Sequence, residues 1–97
     1  VRSAAADDVP LSTACDRESV YIAVHRYVRE PHLEYFAAVE QVLRAAGGRP
    51  HWGKEHTLTA DRLVQLYPRF EDFRAARAAV DPDGVLLSPY ARGLLGL

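Results

Sequence analysis

The sequence is poor in several residue types, and each scarcity narrows what the chain can be. Cysteine occurs once, as Cys15, so no internal disulfide can form, which is compatible with a reducing cytosol. Methionine is absent and the chain opens with Val1, so we expect a piece of a longer protein. No apolar run approaches the roughly 20 residues of a membrane span. Basic and acidic residues nearly balance at a net charge of −1, which argues against broad nucleic-acid binding.

Lysine is equally scarce. Lys54 is the one lysine among the twelve lysine and arginine residues, and the other eleven are arginines. It closes the run Gly47-Gly48-Arg49-Pro50-His51-Trp52-Gly53-Lys54, which also holds the single tryptophan, Trp52. Lysine carries a compact charge whose pKa responds to burial, and histidine, the type of the neighbouring His51, is a common acid–base residue. This grouping favours a functional loop, although a solvated loop with one surface cation has the same composition.

A metal site at this loop is the less favoured interpretation. His51 and His56 lie five residues apart with Glu55 between them. Zinc ligands on one helical face are spaced by four, and no third ligand is evident here. We therefore expect no bound metal.

Alternating side chains predict one strand, from Ser19 to Tyr27. Val20, Ile22 and Val24 share one face, while the other face carries Tyr21, Ala23, His25 and Tyr27. Because a lone strand leaves its backbone groups unpaired, we expect its sheet partners to lie mostly outside these residues. Residues 1–18 have no helical or strand period and are predicted to form a loop.

A helix is predicted after the strand. Pro31 suits the first helical position, and Gly47-Gly48 suits the end because glycine tolerates a left-handed cap. Its predicted inward residues recur at spacings of three and four: Phe36, Val39, Leu43 and Ala46.

Three shorter helices are predicted beyond the loop. Thr59 caps one that Pro68 stops, and a second runs from Pro68 to the turn Asp81-Pro82-Asp83-Gly84. The last opens at Ser88-Pro89 and ends near Gly96. In the helix after Pro68, the side chains predicted to face the core are Phe70, Phe73, Ala76 and Val80. The expected fold class is α+β, with helices packed on a mostly antiparallel sheet whose other strands lie outside the chain.

The sequence resembles the FAD-dependent aldonolactone and alditol oxidases of the vanillyl-alcohol oxidase superfamily over nearly its whole length. The most specific segment is the run Gly48–Lys54 followed by His56. Three further parts match in order: Arg2 with Ala6-Asp7-Asp8 and Leu11-Ser12; Ser19–His25; and a closing stretch with Leu66–Phe70, Asp81–Gly84 and Pro89-Tyr90.

The resemblance implies an oxidoreductase that moves a hydride from a sugar lactone or polyol carbon to N5 of FAD. It implies a catalytic Lys54 that also contacts substrate and cofactor, and a cofactor contact for His51. It implies that Arg2 binds substrate as part of a Glu-x-Arg pair whose glutamate would precede Val1. His25 maps to a substrate-contacting strand position where alditol oxidases tend to differ. That difference favours a lactone, of the D-arabinono-1,4-lactone or L-gulono-1,4-lactone type.

The same resemblance implies how the chain fits a larger protein. Residues 1–97 would be the carboxyl-terminal segment of the substrate (cap) domain, with FAD held mainly by an amino-terminal FAD-binding domain outside this chain. Dioxygen or another electron acceptor would reoxidise the flavin. We expect a cytoplasmic protein, with membrane association left open, and no activity from the isolated chain. The alternatives are an alditol oxidase acting on xylitol-type polyols and a non-catalytic interaction domain derived from the cap.

Overall fold

Four helices and one short strand pair make up the fold. The structure is a computed structural model and describes residues 1–97. The α+β prediction is confirmed. None of the helices is long and apolar enough to cross a bilayer. The elements in chain order are β1 (Arg2–Ala4), β2 (Ser19–Tyr21), α1 (Leu33–Ala45), α2 (Ala60–Leu66), α3 (Phe70–Val80) and α4 (Pro89–Leu95).

The strand pair differs from the sequence prediction in two ways. The loop predicted over residues 1–18 contains β1, which pairs antiparallel with β2 so that Arg2 lies opposite Tyr21. The strand predicted to run to Tyr27 ends at Tyr21, because β1 offers only three partner residues. The alternating pattern beyond Tyr21 has no paired strand within the chain, and Ile22 remains 53% exposed.

Helix α1 begins two residues later than predicted, since Pro31 and His32 precede its first residue, Leu33. Its predicted end is confirmed by a glycine cap. Gly47 adopts a φ of 71°, its N–H donates to the carbonyl of Arg44, and the N–H of Gly48 donates to the carbonyl of Leu43 at 2.8 Å. This pair of bonds is the Schellman arrangement, which satisfies the last carbonyls of the helix and turns the chain toward the loop. No residue of α1 is fully buried, and Ala46, predicted inward, is exposed.

The buried core lies among the three short helices. The last helix is capped as predicted, because the hydroxyl of Ser88 accepts from the N–H of Ala91 and Gly96 closes it in the left-handed region. Thr59 holds the predicted cap position of α2, but its side chain makes no capping bond. The core residues are Leu58, Leu63, Tyr67, Phe70, Leu94 and Leu95.

A buried carboxylate, Asp81, organises the turn after α3. Its side chain accepts from the N–H groups of Val85 at 2.8 Å and Leu86 at 3.1 Å, and from the guanidinium of Arg77 at 3.1 Å. Burial alone would raise the pKa of Asp81, but these bonds outweigh it and hold the pKa below its ordinary value. Two residues of α3 predicted to point inward, Ala76 and Val80, are exposed, because the other core elements cover α3 at Phe70 and Phe73.

Candidate functional site

The run that contains the single lysine forms a tight turn on the surface. The N–H of Lys54 donates to the carbonyl of His51 at 3.0 Å, which closes the turn. Inside it, the N–H of Gly53 donates to Nδ1 of His51 at 3.0 Å. An added Cβ at Gly53 would lie 3.3 Å from the His51 ring, so a side chain at this position would push the ring aside by a few tenths of an ångström. The side chains of His51 and Lys54 are both exposed.

The bond to His51 has a chemical consequence. Because Nδ1 accepts a backbone hydrogen, the neutral imidazole carries its proton on Nε2. The turn therefore presents an Nε2–H from His51 and the three N–H donors of the Lys54 ammonium, and no acceptor from either side chain. Such a pair suits a ligand that is anionic or that gains negative charge.

Trp52 anchors the turn to the core. Its indole Nε1 donates to the hydroxyl of Tyr67 at 3.1 Å, and the two rings meet edge to face with centroids 5.9 Å apart. The Tyr67 hydroxyl donates in turn to the carbonyl of Pro50 at 3.4 Å. Burial raises the pKa of Tyr67, so its hydroxyl stays protonated for this role. The turn thus rests on a fully buried tyrosine of the core.

Arg49 fixes the start of the turn, and sequence reasoning missed it. Its Nε donates to the carbonyl of Leu66 at 2.8 Å, and its Nη1 donates to the carbonyl of Cys15 at 2.7 Å. The guanidinium carbon also lies 5.0 Å from the centroid of the Tyr67 ring, a cation–π contact. Arg49 therefore joins the end of α2 to the amino-terminal loop. Because most cations of this chain are arginines, the residue type of Arg49 did not mark it as special. The one signal in the sequence was its position in the run, directly before Pro50.

The four predicted site residues fall into two groups. His51 and Lys54 share one turn, whereas Arg2 and His25 belong to the strand region. Arg2 lies opposite Tyr21, and directly opposed residues of an antiparallel pair project to the same face. His25, predicted within the strand, lies four residues beyond its end and is exposed. The functional roles of all four remain predictions.

His51 and His56, the histidines considered as metal ligands, contact other groups in the fold. Nowhere in the chain do three or more histidine, cysteine, aspartate or glutamate side chains gather as metal ligands would. His32 instead approaches Glu55 at 3.6 Å, and His56 faces Tyr90.

Comparison with known proteins identifies the class. The chain matches the family model described as D-arabinono-1,4-lactone oxidase over residues 1–94. This chain belongs to that family of oxidoreductases, which implies a flavin cofactor. The resemblance read from the sequence is therefore confirmed. No solved structure matches the chain.

Three relatives illustrate the range of the family. An L-gulono-1,4-lactone dehydrogenase of Mycobacterium tuberculosis (strain CDC 1551 / Oshkosh) is 48% identical over 96 residues, which are 99% of this chain and 22% of the relative. An L-gulonolactone oxidase of Bos taurus is 37% identical over 94 residues, 93% of this chain and 21% of the relative. An alditol oxidase of a Streptomyces species is 37% identical over 98 residues, 98% of this chain and 23% of the relative. The chain thus spans about a fifth of the length of these relatives.

Proposed function

We propose that this chain forms the substrate-side part of an FAD-dependent oxidoreductase that oxidises a sugar lactone of the D-arabinono- or L-gulono-1,4-lactone type. One observation carries the proposal: the single lysine and His51 project together from one turn that is anchored on a buried aromatic core. The family membership of the chain supplies the reaction class. Lactone-named relatives at 48% and 37% identity favour that substrate.

The donor set of the turn fits a flavin. FAD, when bound, would supply the hydride-accepting chemistry at N5, with negative charge on the reduced ring. The Lys54 ammonium would stabilise that charge, and a preorganised donor of this kind contributes a few kcal/mol to transition states in other enzymes. The Nε2–H of His51 would donate to the same ring, since its Nδ1 is already occupied. No glycine-rich phosphate loop follows a strand in this sequence, so the FAD pyrophosphate would be held by an amino-terminal domain outside it.

The strand pair would provide the contacts to the sugar. Arg2 and Tyr21 share one face of the pair, and together they offer charged and hydroxyl groups suited to sugar oxygens. His25 would join them if the strand continued on a larger sheet. The exposed apolar residues Val20 and Ile22, at 65% and 53%, support such a continuation because an uncovered aliphatic face favours packing against further structure.

The test is anaerobic reduction of the flavin in the full-length protein that contains this chain. We expect an aldono-1,4-lactone to bleach the flavin absorbance and xylitol to leave it unchanged. Bleaching by xylitol alone would instead support a polyol substrate, which the 37% identity to an alditol oxidase favours, and would contradict the role given to His25. A protein without flavin absorbance would refute the proposed enzyme and support an interaction domain. Repeating the oxidative step with dioxygen and with an artificial acceptor would separate an oxidase from a dehydrogenase.

A further inference from the structure

The side chain of Tyr90, on helix α4, reaches the backbone of the turn. Its hydroxyl lies 2.6 Å from the carbonyl oxygen of Trp52 and 3.1 Å from Nε2 of His56. A tyrosine hydroxyl has one hydrogen, and a carbonyl can only accept. Tyr90 therefore donates to Trp52 and accepts from an Nε2–H of His56.

The environment of His56 favours that donor form. Its Nδ1 is buried and has no hydrogen-bond partner, so a second proton there would be an unsatisfied donor. Burial lowers the pKa of His56, although the Glu40 carboxylate of α1 opposes the shift. Glu40 itself accepts from the N–H and hydroxyl of Thr57. The neutral ring with its proton on Nε2 is thus the form that orients the Tyr90 hydroxyl.

The carbonyl that Tyr90 binds belongs to the central peptide of the His51–Lys54 turn. In a four-residue turn this peptide has two orientations, which differ by a flip, and glycine at the third position allows both. The flipped form requires a positive φ at Gly53, and Gly53 is not among the positive-φ glycines. In the observed form the Trp52 carbonyl accepts from Tyr90, and the Gly53 N–H of the same peptide donates to His51. A flip would break both bonds.

We propose that Tyr90 is a positioning residue for His51 in the turn that His51 shares with Lys54. Supported by His56, it holds the Trp52–Gly53 peptide in one of its two orientations, which keeps the Gly53 N–H on Nδ1 and so fixes the His51 ring and its Nε2–H beside Lys54. The inference rests on the proposed function for its consequence at the flavin, but the conformational part concerns this chain alone.

The experiment compares three variants of the full-length flavoprotein: Tyr90→Phe, Lys54→Met and Tyr35→Phe. The last is a matched control, since Tyr35 lies on α1 and contacts Arg26 and Phe36 rather than the turn. The first readout is hydrogen exchange of segment 51–56 by mass spectrometry. The second is the midpoint potential of the bound flavin, because a nearby cation stabilises the reduced, anionic ring and raises the potential.

We expect Tyr90→Phe to speed exchange in segment 51–56 by about three- to tenfold, the equilibrium equivalent of one lost hydrogen bond. We also expect it to lower the flavin potential in the same direction as Lys54→Met and by less, with Tyr35→Phe unchanged in both. Unchanged exchange in Tyr90→Phe would overturn the positioning role. An effect of Lys54→Met on the potential with none from Tyr90→Phe would also overturn it, while the proposed role of Lys54 would stand. No effect of Lys54→Met would refute that role itself, and faster exchange in Tyr90→Phe would still support the fixed turn.

Discussion

Residues 49–97 build a core of their own, whereas residues 1–46 bury little more than Ala14 and Cys15. Residues 49–97 place three helices around Tyr67 and Phe70 and hold the lysine turn against them. Residues 1–46 carry the strand pair and helix α1, in which no residue is fully buried. The groups proposed to act on the flavin thus lie on the well-packed region. Those proposed to bind the sugar lie where apolar side chains are left open.

The contrast explains why the two groups of site residues are held so differently. The turn is held by the Trp52 indole, which donates to the Tyr67 hydroxyl, and by the Tyr67 hydroxyl, which donates to the Pro50 carbonyl just before the turn. The Tyr90 hydroxyl donates to the Trp52 carbonyl within it. Arg2 is placed by three residues of strand pairing, and His25 lies outside any regular element. We infer that the turn is preformed within this chain and that the face proposed to bind the sugar depends on additional structure.

The largest expected effect comes from a pair of phenylalanine truncations, one in each region. Phe70→Ala should lower the free energy of unfolding by about 3–5 kcal/mol, because it empties a fully buried site. Phe36→Ala on α1 should cost about 1 kcal/mol, because the removed ring is still partly in water. Urea unfolding of the 97-residue chain, followed by the fluorescence of Trp52, measures both. Equal losses of unfolding free energy would show that residues 1–46 have a core as well packed as that of residues 49–97. If Phe70→Ala removes the unfolding transition altogether, Phe70→Leu gives the same ranking at smaller cost.

An intermediate effect is expected where the two regions are joined. Arg49→Met keeps much of the side-chain bulk but removes the donors to the carbonyls of Leu66 and Cys15. Hydrogen bonds from a charged group are worth about 1.5–3 kcal/mol, so we expect a loss of unfolding free energy in that range. Arg62→Met is the control, since Arg62 bonds only Gln65 one turn along its own helix. If the two variants cost the same, Arg49 does not join the regions.

A smaller effect is expected from acid, because a protonated carboxyl can still accept one hydrogen bond. The pKa of Asp81 is lowered in the folded chain: burial opposes the shift, and the bonds from Leu86, Arg77 and Val85 overcome it. A depressed pKa means that the carboxylate stabilises the fold above its unfolded pKa, and that this contribution is lost as pH falls through the folded pKa. The difference in unfolding free energy between the native chain and Asp81→Asn should therefore shrink on acidification. Asp83→Asn, exposed in the same turn, should show no such trend; a constant difference for Asp81→Asn would contradict the account.

The sequence predicted helices well where their ends carry local chemistry. Gly47-Gly48, Pro68 and Ser88-Pro89 act through backbone preferences that need no distant partner, and the helix ends they predict are observed. The strand was predicted too long because pairing is not local: alternation shows which residues fit a sheet, but only a partner such as β1 decides how many are paired. The inward faces of α1 and α3 were overestimated at Ala46, Ala76 and Val80 for the same reason, since periodicity cannot say how much of a face is covered.

The candidate site was predictable only in part. His51 and Lys54 could be singled out because both are rare types in one short run. The side chains that hold the turn could not, because Arg49, Tyr67 and Tyr90 are common types that converge from 5, 13 and 36 residues away from Lys54 along the chain. Their roles depend on the packing of α2 and α4 around Trp52, which no local pattern reveals.

The most direct test of the account is the rate of anaerobic flavin reduction by an aldono-1,4-lactone in the full-length protein. Native Lys54 should be compared with Lys54→Ala, and with Lys54→Arg as a variant that keeps the charge. We expect Lys54→Ala to slow reduction by about a hundredfold or more, the usual cost of removing one preorganised electrostatic group, and Lys54→Arg to recover part of the rate. Flavin reduction at the native rate in Lys54→Ala would contradict the proposed role of Lys54.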